Sequence, residues 1–227
     1  MCNRIFLLFF FIRLFSSDVQ AQFTDRYWAF GDSAGIDFKN LSNPQPANSI
    51  LRVRGTCASI CDSAGDLLFY SGSPNWMEWL NPFGPVKFGT VVNKNHSTMD
   101  NGDTLIGVLW YQEMAIVPDP ANSNRFIYLQ GVTHHGFYYT VVDLSYNGGL
   151  GKVVRRMSNF EMTRLTDCAA VVKQVMEGLV VLIRSWKMPN QDITAYLIDP
   201  RVLLQCQPNI LVQCDLAGLS IKVQSTG

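Results

Sequence analysis

Apolar and polar residues alternate along much of the chain in a pattern that predicts short β-strands joined by polar turns. Three segments share one order, an apolar strand, a polar turn and an apolar-aromatic strand: residues 57–70, 114–128 and 168–182. Within them, three alanines recur at intervals of 57 and 54 residues: Ala58, Ala115 and Ala169. A hairpin repeated at this period predicts the four-stranded antiparallel blades of a β-propeller.

A further strand is predicted after each of these hairpins. The three segments concerned are rich in β-branched and aromatic residues and cover residues 89–93, 137–144 and 193–199. No stretch of ten or more residues has clean helical periodicity. Residues 167–177 come closest, but their valines, among them Val171 and Val175, favour a strand. The sequence therefore predicts an all-β fold, a β-propeller-like array of four-stranded antiparallel blades.

The extent of the array follows from the repeat period. We expect blade-like repeats near residues 57–110, 112–165 and 168–200, with an irregular partial blade over 201–227. Residues 27–227 would then form one propeller-like domain of about three to four blades. Because four blades are the lower limit for a closed propeller, the alternatives are a small closed ring, an incomplete array, or part of a larger propeller.

Two turns have residues with a clear structural role. In the turn that begins at Asp62, the carboxylate can accept hydrogen bonds from following backbone amides, and Gly65 can adopt the positive φ that closes a hairpin. Asn147, Gly148 and Gly149 are expected to form a similar turn after the strand that ends near residue 144.

Residues 1–21 have the order of a secretory signal peptide. Arg4 precedes an apolar run at residues 5–12, and the small residues Val19 and Ala21 follow. The run is much shorter than the roughly 20 residues that cross a bilayer, and no later stretch is longer. We therefore expect a secreted or cell-surface protein without a membrane span after signal removal. An uncleaved or interfacial segment is the alternative.

The charge composition argues against one class of partner. The chain has 18 Lys and Arg residues against 18 Asp and Glu residues, a formal net charge of +0, and no basic run. Binding a phosphate backbone requires a concentrated positive surface, so nucleic acid is not an expected partner. The charged fraction of 16% also agrees with strands packed face to face.

The cysteines do not form an obvious disulfide framework. Of the six cysteines, Cys2 lies in the signal peptide, and the odd remainder leaves at least one thiol unpaired within the chain. Cys57 and Cys61 lie on one predicted strand, about 13 Å apart, which is too far for a disulfide. Cys206 and Cys214 are the candidate disulfide pair, across a predicted hairpin. Small buried residues are the alternative for these cysteines.

No metal or cofactor site is expected. His134 and His135 are adjacent, so on a strand their side chains point to opposite faces and do not share a metal. Cys57 and Cys61 have no matching second pair for zinc. His96 belongs to a turn, where we assign it a structural role.

No catalytic residue is assigned. The candidate carboxylates for glycoside hydrolysis all lie where a turn or a strand end explains them: Asp37, Asp62, Glu113, Asp143 and Glu161. The chain contains no complete sialidase-like box, nucleophile elbow or phosphate-binding glycine-rich loop.

Aromatic side chains are the better candidates for ligand binding, because exposed aromatic rings can stack on a glycan or a protein. Those in or beside the irregular segment 73–87 form the predicted ligand-binding set: Trp76, Trp79, Phe83 and Tyr111. Trp76 and Trp79 are flanked by proline and asparagine, so we expect them in a loop.

Several motifs in order resemble a known family. They are WAFGDSAGIDF at residues 28–38, the segment 57–70, NKNHSTMDNG at 93–102, AIVPDP at 115–120, and the segment 138–151 that ends in NGGLG. This series resembles the N-terminal propeller-like region of secreted surface proteins of Bacteroidetes, those described as gliding-motility-associated or as type IX secretion cargo. The resemblance covers about residues 27–200. Residues 80–87 and the chain after residue 199 depart from it.

The resemblance implies a surface protein whose propeller region is followed by further modules, but it implies no ligand. Together with the motifs, it predicts a non-catalytic extracellular or cell-surface module for binding, adhesion or scaffolding, with a surface protein or a glycan as ligand. The alternatives are an extracellular propeller enzyme of the glycoside hydrolase kind, or a fragment of a larger surface protein.

Overall fold

A computed structural model describes the fold over most of the chain. The described residues are 23–79, 88–105, 114–132, 136–161, 165–175, 178–187, 190–198, 212–215 and 220–223. In these ranges the regular structure is almost entirely β. The helical segments there are a one-turn helix, α1 (Trp76–Trp79), and two 3₁₀ turns at Phe23–Asp25 and Asn147–Gly149. The predicted all-β class is confirmed.

The described strands form four antiparallel sheets that follow one another along the chain. Sheet 1 contains β1 (Tyr27–Ala29), β2 (Ala34–Asp37) and β3 (Gln45–Asn48). Sheet 2 contains β4 (Cys57–Cys61), β5 (Leu67–Gly72) and β6 (Thr90–Asn93). Sheet 3 contains β7 (Met114–Asp119), β8 (Asn122–Val132), β9 (Gly136–Asp143) and β10 (Lys152–Glu161). Sheet 4 contains β11 (Leu165–Val175), β12 (Gly178–Lys187), β13 (Asn190–Ile198), β14 (Val212–Asp215) and β15 (Ser220–Val223).

Strands that are neighbours in the chain are also neighbours in each sheet, which makes every sheet a simple meander. The three predicted hairpins are confirmed as β4–β5, β7–β8 and β11–β12. The strands expected after them are β6, β9 and β13. Strands β14 and β15, from the region expected to be an irregular partial blade, join sheet 4. The closure of these sheets into a propeller stays a prediction.

Sheet 2 is buried on both faces. Alternate residues of its strands point in opposite directions, so Phe69 packs toward sheet 3 while Tyr70 packs toward sheet 1. On the sheet 3 side, the Phe69 and Phe126 rings meet edge to face with centroids 5.5 Å apart. On the sheet 1 side, Tyr70 lies in a cluster with Ala29, Leu51, Val53 and Val92. Strands buried on both faces carry consecutive apolar residues, which explains the unbroken apolar runs of β5 and β6.

Two turns of sheet 2 have the same hydrogen bonds. Asp62 Oδ1 accepts bonds from the amides of Ala64 and Asp66, both at 2.9 Å. In the turn after β6, Asn93 Oδ1 accepts the equivalent bonds from residues 95 and 97, at 2.9 and 3.2 Å. Counted from Asp62 and from Asn93, the fourth residue of each turn has a left-handed backbone conformation, with φ 89° at Gly65 and 56° at His96. Such a turn, closed by a left-handed residue, is a common hairpin connection.

The turn after β9 has a run of left-handed residues. Asn147, Gly148 and Gly149 have φ values of 54°, 64° and 87°. The Asn147 side chain donates a hydrogen bond of 3.0 Å to the Gly151 carbonyl, and the Gly149 amide donates one of 3.1 Å to the Tyr146 carbonyl. Asparagine and glycine adopt this backbone at low energetic cost.

Candidate ligand-binding surface

The sequence predicts a loop around Trp76 and Trp79. This prediction is wrong, because the two residues begin and end helix α1. Asn75 caps this helix: its Oδ1 accepts a bond of 2.9 Å from the Glu78 amide. Its own amide donates to Glu78 Oε2 at 3.2 Å. This reciprocal pair is a capping box. A helix of one turn is too short to show helical periodicity, so only the Asn-x-x-Glu spacing could have indicated it.

Much of the predicted ligand-binding set lies outside the described residues. This holds for Phe83 and Tyr111, and for the side chains of Trp76 and Trp79. The predicted disulfide lies outside them as well, because Cys206 is not among the described residues and only the backbone of Cys214 is described, in β14.

A different set of aromatic side chains lies on the outer side of sheet 1. In β1, Tyr27 and Ala29 contribute to the core next to sheet 2, so Trp28 points away from it. Trp28 is 46% exposed and Phe30 is 39% exposed. The Trp28 ring lies 4.8 Å from the Phe38 ring and 6.3 Å from the Phe30 ring, measured between centroids. We call these three side chains the aromatic face.

Hydrogen bonds hold the aromatic face in place. The Trp28 indole nitrogen donates to the Asp25 carbonyl at 2.8 Å, which fixes the orientation of the ring. The Phe30 amide donates to the Ala34 carbonyl at 2.8 Å, and the Phe38 amide donates to the Arg26 carbonyl at 2.9 Å. The Trp28 ring is therefore held by a bond of its own side chain, whereas for Phe30 and Phe38 these bonds hold the backbone. A surface that is rigid before binding loses little conformational entropy on binding.

The hairpin turn of sheet 1 is anchored to the following segment by a close backbone approach. A Cβ atom at Gly31 would lie 1.7 Å from the Val53 carbonyl oxygen, so no larger residue fits there without a backbone shift. The Ser33 amide donates to the Leu51 carbonyl at 2.8 Å. These contacts keep the turn, and with it the Phe30 end of the aromatic face, against residues 51–53.

Two ion pairs involve residues of sheet 1. Asp37 is paired with Tyr27 across β1 and β2, so the first of them lies on the sheet 2 side of sheet 1 and not on the side of Trp28. Arg26 donates two hydrogen bonds to the Asp37 carboxylate, at 2.9 and 3.1 Å. The hydrogen bond from Arg26 lowers the pKa of Asp37 and reciprocally raises the pKa of Arg26. Arg54 pairs with Asp32 through Nε alone, which lies 2.9 and 3.1 Å from the two carboxylate oxygens, and both of these side chains are largely exposed.

A shallow apolar cleft of about 270 Å³ lies between residues 50–53 and strand β6. Its walls are formed by Ile50, Leu51, Arg52, Val53, Gly72, Phe88, Thr90, Val92 and Thr98. A Cβ atom at Gly72 would lie 2.8 Å from a Leu51 methyl carbon, so the glycine allows the segment to pack closely on β5.

His96 is tied to the buried Tyr70 beside this cleft. The Tyr70 hydroxyl and His96 Nδ1 are 2.9 Å apart, and the Ile50 amide donates to the same hydroxyl at 3.1 Å. Because the hydroxyl accepts the amide proton, it can donate its own proton to Nδ1. Burial raises the pKa of Tyr70, so the hydroxyl keeps that proton at neutral pH.

The described carboxylates considered for catalysis are already bound by protein groups. Asp62 Oδ1 accepts two backbone hydrogen bonds in the turn described above. Asp143 accepts bonds from the Ser145 hydroxyl at 2.6 Å and from Arg125 Nε at 2.8 Å. Burial opposes ionisation of Asp143, but these bonds outweigh it and lower the pKa. Burial raises the pKa of nearby Asp119, because it outweighs the bond from the Ala121 amide and the charge of Arg125. Glu113 and the side chain of Glu161 lie outside the described residues.

The two described thiols are protonated at neutral pH. Cys57 and Cys61 are both free. Burial raises the pKa of Cys57 to about 11 and also raises the pKa of Cys61. Since the thiolate is the nucleophile and the metal ligand, neither residue is poised for such chemistry. Over the described part of the chain, no group of three or more His, Cys, Asp or Glu side chains is arranged to hold a metal ion.

No helix within the described ranges is long and apolar enough to cross a membrane. No protein-family model, curated protein or solved structure matches the chain significantly. The resemblance to the Bacteroidetes propeller-like region therefore stays a prediction.

Proposed function

We propose that this protein is a non-catalytic extracellular or cell-surface binding module of propeller type, and that its ligand contacts the aromatic face. The observation that carries the proposal is the position of Trp28. A large aromatic ring that is 46% exposed, fixed by its own indole hydrogen bond and flanked by two phenylalanines, is a preformed contact surface.

The arrangement of the sheets supports the propeller part of the proposal. Four meanders follow one another along the chain, and sheet 2 packs with one face on sheet 1 and with the other on sheet 3. Strand β11 of sheet 4 in turn contacts β7 and β8 of sheet 3. Consecutive antiparallel sheets stacked in chain order are the building principle of a propeller.

The location outside the cell rests on the N-terminal segment. Its basic residue, its eight-residue apolar run and its small residues near position 21 are the order that directs export. The proposal that the module does not catalyse a reaction is supported by Asp37, Asp62 and Asp143, whose oxygens bind arginine side chains or the amides of turns.

The experiment that tests the function combines binding and turnover on one panel. The purified full chain is applied to an array of surface polysaccharides and extracellular proteins, and the same polysaccharides are assayed for hydrolysis. We expect binding without release of reducing sugar. Turnover that is lost in Asp62→Asn or Asp143→Asn, with an unchanged circular dichroism spectrum, would establish the glycosidase alternative instead.

The oligomeric state tests the alternative of an incomplete array. An unclosed stack of sheets leaves strand edges exposed, and exposed edges favour association. A monodisperse monomer with cooperative unfolding in analytical ultracentrifugation and denaturant titration supports a closed unit. Concentration-dependent association would support the fragment.

A further inference from the structure

We propose that Asn147 is a site of spontaneous deamidation in the folded protein, at which the side-chain amide converts into aspartate and isoaspartate. Two asparagines of the chain are followed directly by glycine, Asn101 and Asn147. Because glycine has no side chain to shield its nitrogen, the Asn-Gly sequence offers this reaction little steric hindrance. The sequence alone does not rank the two sites, but their surroundings in the fold differ.

The reaction uses the backbone nitrogen of the glycine as its nucleophile. This nitrogen loses its proton and attacks Cγ of the asparagine, and the Cγ–Nδ2 bond breaks so that ammonia leaves. Water then opens the resulting five-membered imide at one of its two carbonyl carbons, which gives aspartate or isoaspartate. The reaction therefore needs an amide proton that can be lost and a side chain that can rotate until Cγ lies about 3–3.5 Å from the nitrogen.

The fold opposes both requirements at Asn101. Its Nδ2 donates to the Val153 carbonyl at 2.9 Å and its Oδ1 accepts a bond of 3.2 Å from Arg156, so the side chain is held at both ends. The Gly102 amide donates to the Met99 carbonyl at 2.9 Å, and Gly102 is buried. A buried, hydrogen-bonded amide loses its proton only when the structure opens locally. We therefore expect Asn101 to be protected.

The turn after β9 leaves Asn147 and Gly148 accessible. Both residues are exposed, and a Cβ atom at Gly148 would meet no atom within 4 Å beyond its neighbours in the turn. The amides of residues 149–151 donate to backbone carbonyls of the turn, but no described residue accepts a hydrogen bond from the Gly148 amide. Within the described residues, one bond holds the Asn147 side chain, from Nδ2 to the Gly151 carbonyl at 3.0 Å. Water can therefore reach the attacking nitrogen, and the side chain can rotate toward it after that one bond breaks.

Conversion of Asn147 changes the turn. The amide now donates to the Gly151 carbonyl, whereas a carboxylate can only accept hydrogen bonds. Isoaspartate also adds a carbon atom to the main chain, in a turn where residues 147–149 all have a left-handed backbone. The converted protein should therefore have a lower midpoint of thermal unfolding, and it carries one additional negative charge.

Peptide mapping by mass spectrometry tests the inference on the unchanged protein. The purified full chain is incubated at pH 8.5 and 37 °C, in buffer and in guanidinium chloride, and the gain of one mass unit is followed at both Asn-Gly sites. In buffer we expect conversion at Asn147 to be at least tenfold faster than at Asn101. In guanidinium chloride the fold no longer distinguishes the sites, and the two rates should agree within about threefold.

Asn101 is the internal control, because global unfolding and the buffer act on both sites alike. Two matched variants add a second readout, the acidic form that isoelectric focusing resolves after incubation in buffer. Glutamine would have to form a six-membered ring, so Asn147→Gln should lose most of this form and Asn101→Gln should retain it, with thermal melting to verify that both are folded. Equal rates at the two sites in buffer, faster conversion at Asn101, or an Asn147 that converts only in guanidinium chloride would overturn the inference.

Discussion

The Tyr70 hydroxyl and His96 Nδ1 form a hydrogen bond of 2.9 Å, and this bond accompanies an unusual backbone at His96. His96 has φ 56°, whereas the equivalent position of the other turn in sheet 2 is occupied by Gly65. A side chain with a Cβ is strained there, and the bond to Tyr70 offsets part of that strain. The pair links the turn after β6 to Tyr70 in the core.

Substitution of His96 by glycine and by alanine separates these two effects. Both variants lose the bond to Tyr70, but only the alanine variant keeps a Cβ in the left-handed backbone. We expect His96→Gly to be more stable than His96→Ala by about 1 kcal/mol in urea unfolding at neutral pH. Equal stability of the two variants would show that the backbone at this position is not strained.

The turn at Asp62 gives a second stability prediction. Asp62→Ala removes the acceptor for the Ala64 and Asp66 amides, so we expect a loss of about 1–2 kcal/mol in the free energy of unfolding. Asp62→Asn keeps the acceptor, and asparagine already occupies the equivalent position at Asn93. The free energy of unfolding of the asparagine variant should therefore lie within about 0.5 kcal/mol of that of the unchanged protein. A loss as large as that of the alanine variant would contradict the role of the Oδ1 bonds.

The ion pair of Arg26 and Asp37 predicts a pH dependence. Because the folded state lowers the pKa of Asp37, its contribution to stability is present above the unfolded pKa, near 3.9, and is lost as the pH falls through the lower folded pKa. The pair is partly exposed, so at pH 7 we expect the free energy of unfolding of Asp37→Asn to lie less than about 1 kcal/mol below that of the unchanged protein. Denaturant unfolding at pH 7, 5, 4, 3 and 2 should show this difference shrinking toward the acid end. A difference that is constant over the whole range would exclude an electrostatic origin.

The hairpins could be predicted from the sequence because their signals are local. In the segments around β4–β5 and β7–β8, apolar strands flank turns of Asp, Asn, Pro and Gly, and these residues favour the turn wherever the strands pack. The strand assignment of residues 165–175 likewise follows from the β-branched residues of that segment.

The aromatic face could not be predicted in this way. Residues 27–30 read Tyr-Trp-Ala-Phe, so both faces of β1 carry apolar side chains and the alternation does not tell which face is exposed. Exposure of Trp28 follows from its pairing with Ile36 and from sheet 2, which covers the opposite face. Both are tertiary properties. The sequence therefore does not predict the exposed rings of sheet 1, whereas the flanking proline and asparagine favour exposure of the tryptophans at residues 76 and 79.

The most direct test of the binding surface is a comparison of Trp28→Ala and Tyr146→Ala on an array that carries both polysaccharides and extracellular proteins. The two side chains are equally exposed, but Trp28 lies in β1 of sheet 1 and Tyr146 lies in the turn after β9. We predict that Trp28→Ala loses at least tenfold in affinity for the ligand that the unchanged protein binds, and that Tyr146→Ala retains it. Equal binding by the two variants would contradict the assignment of the aromatic face as the ligand-binding surface.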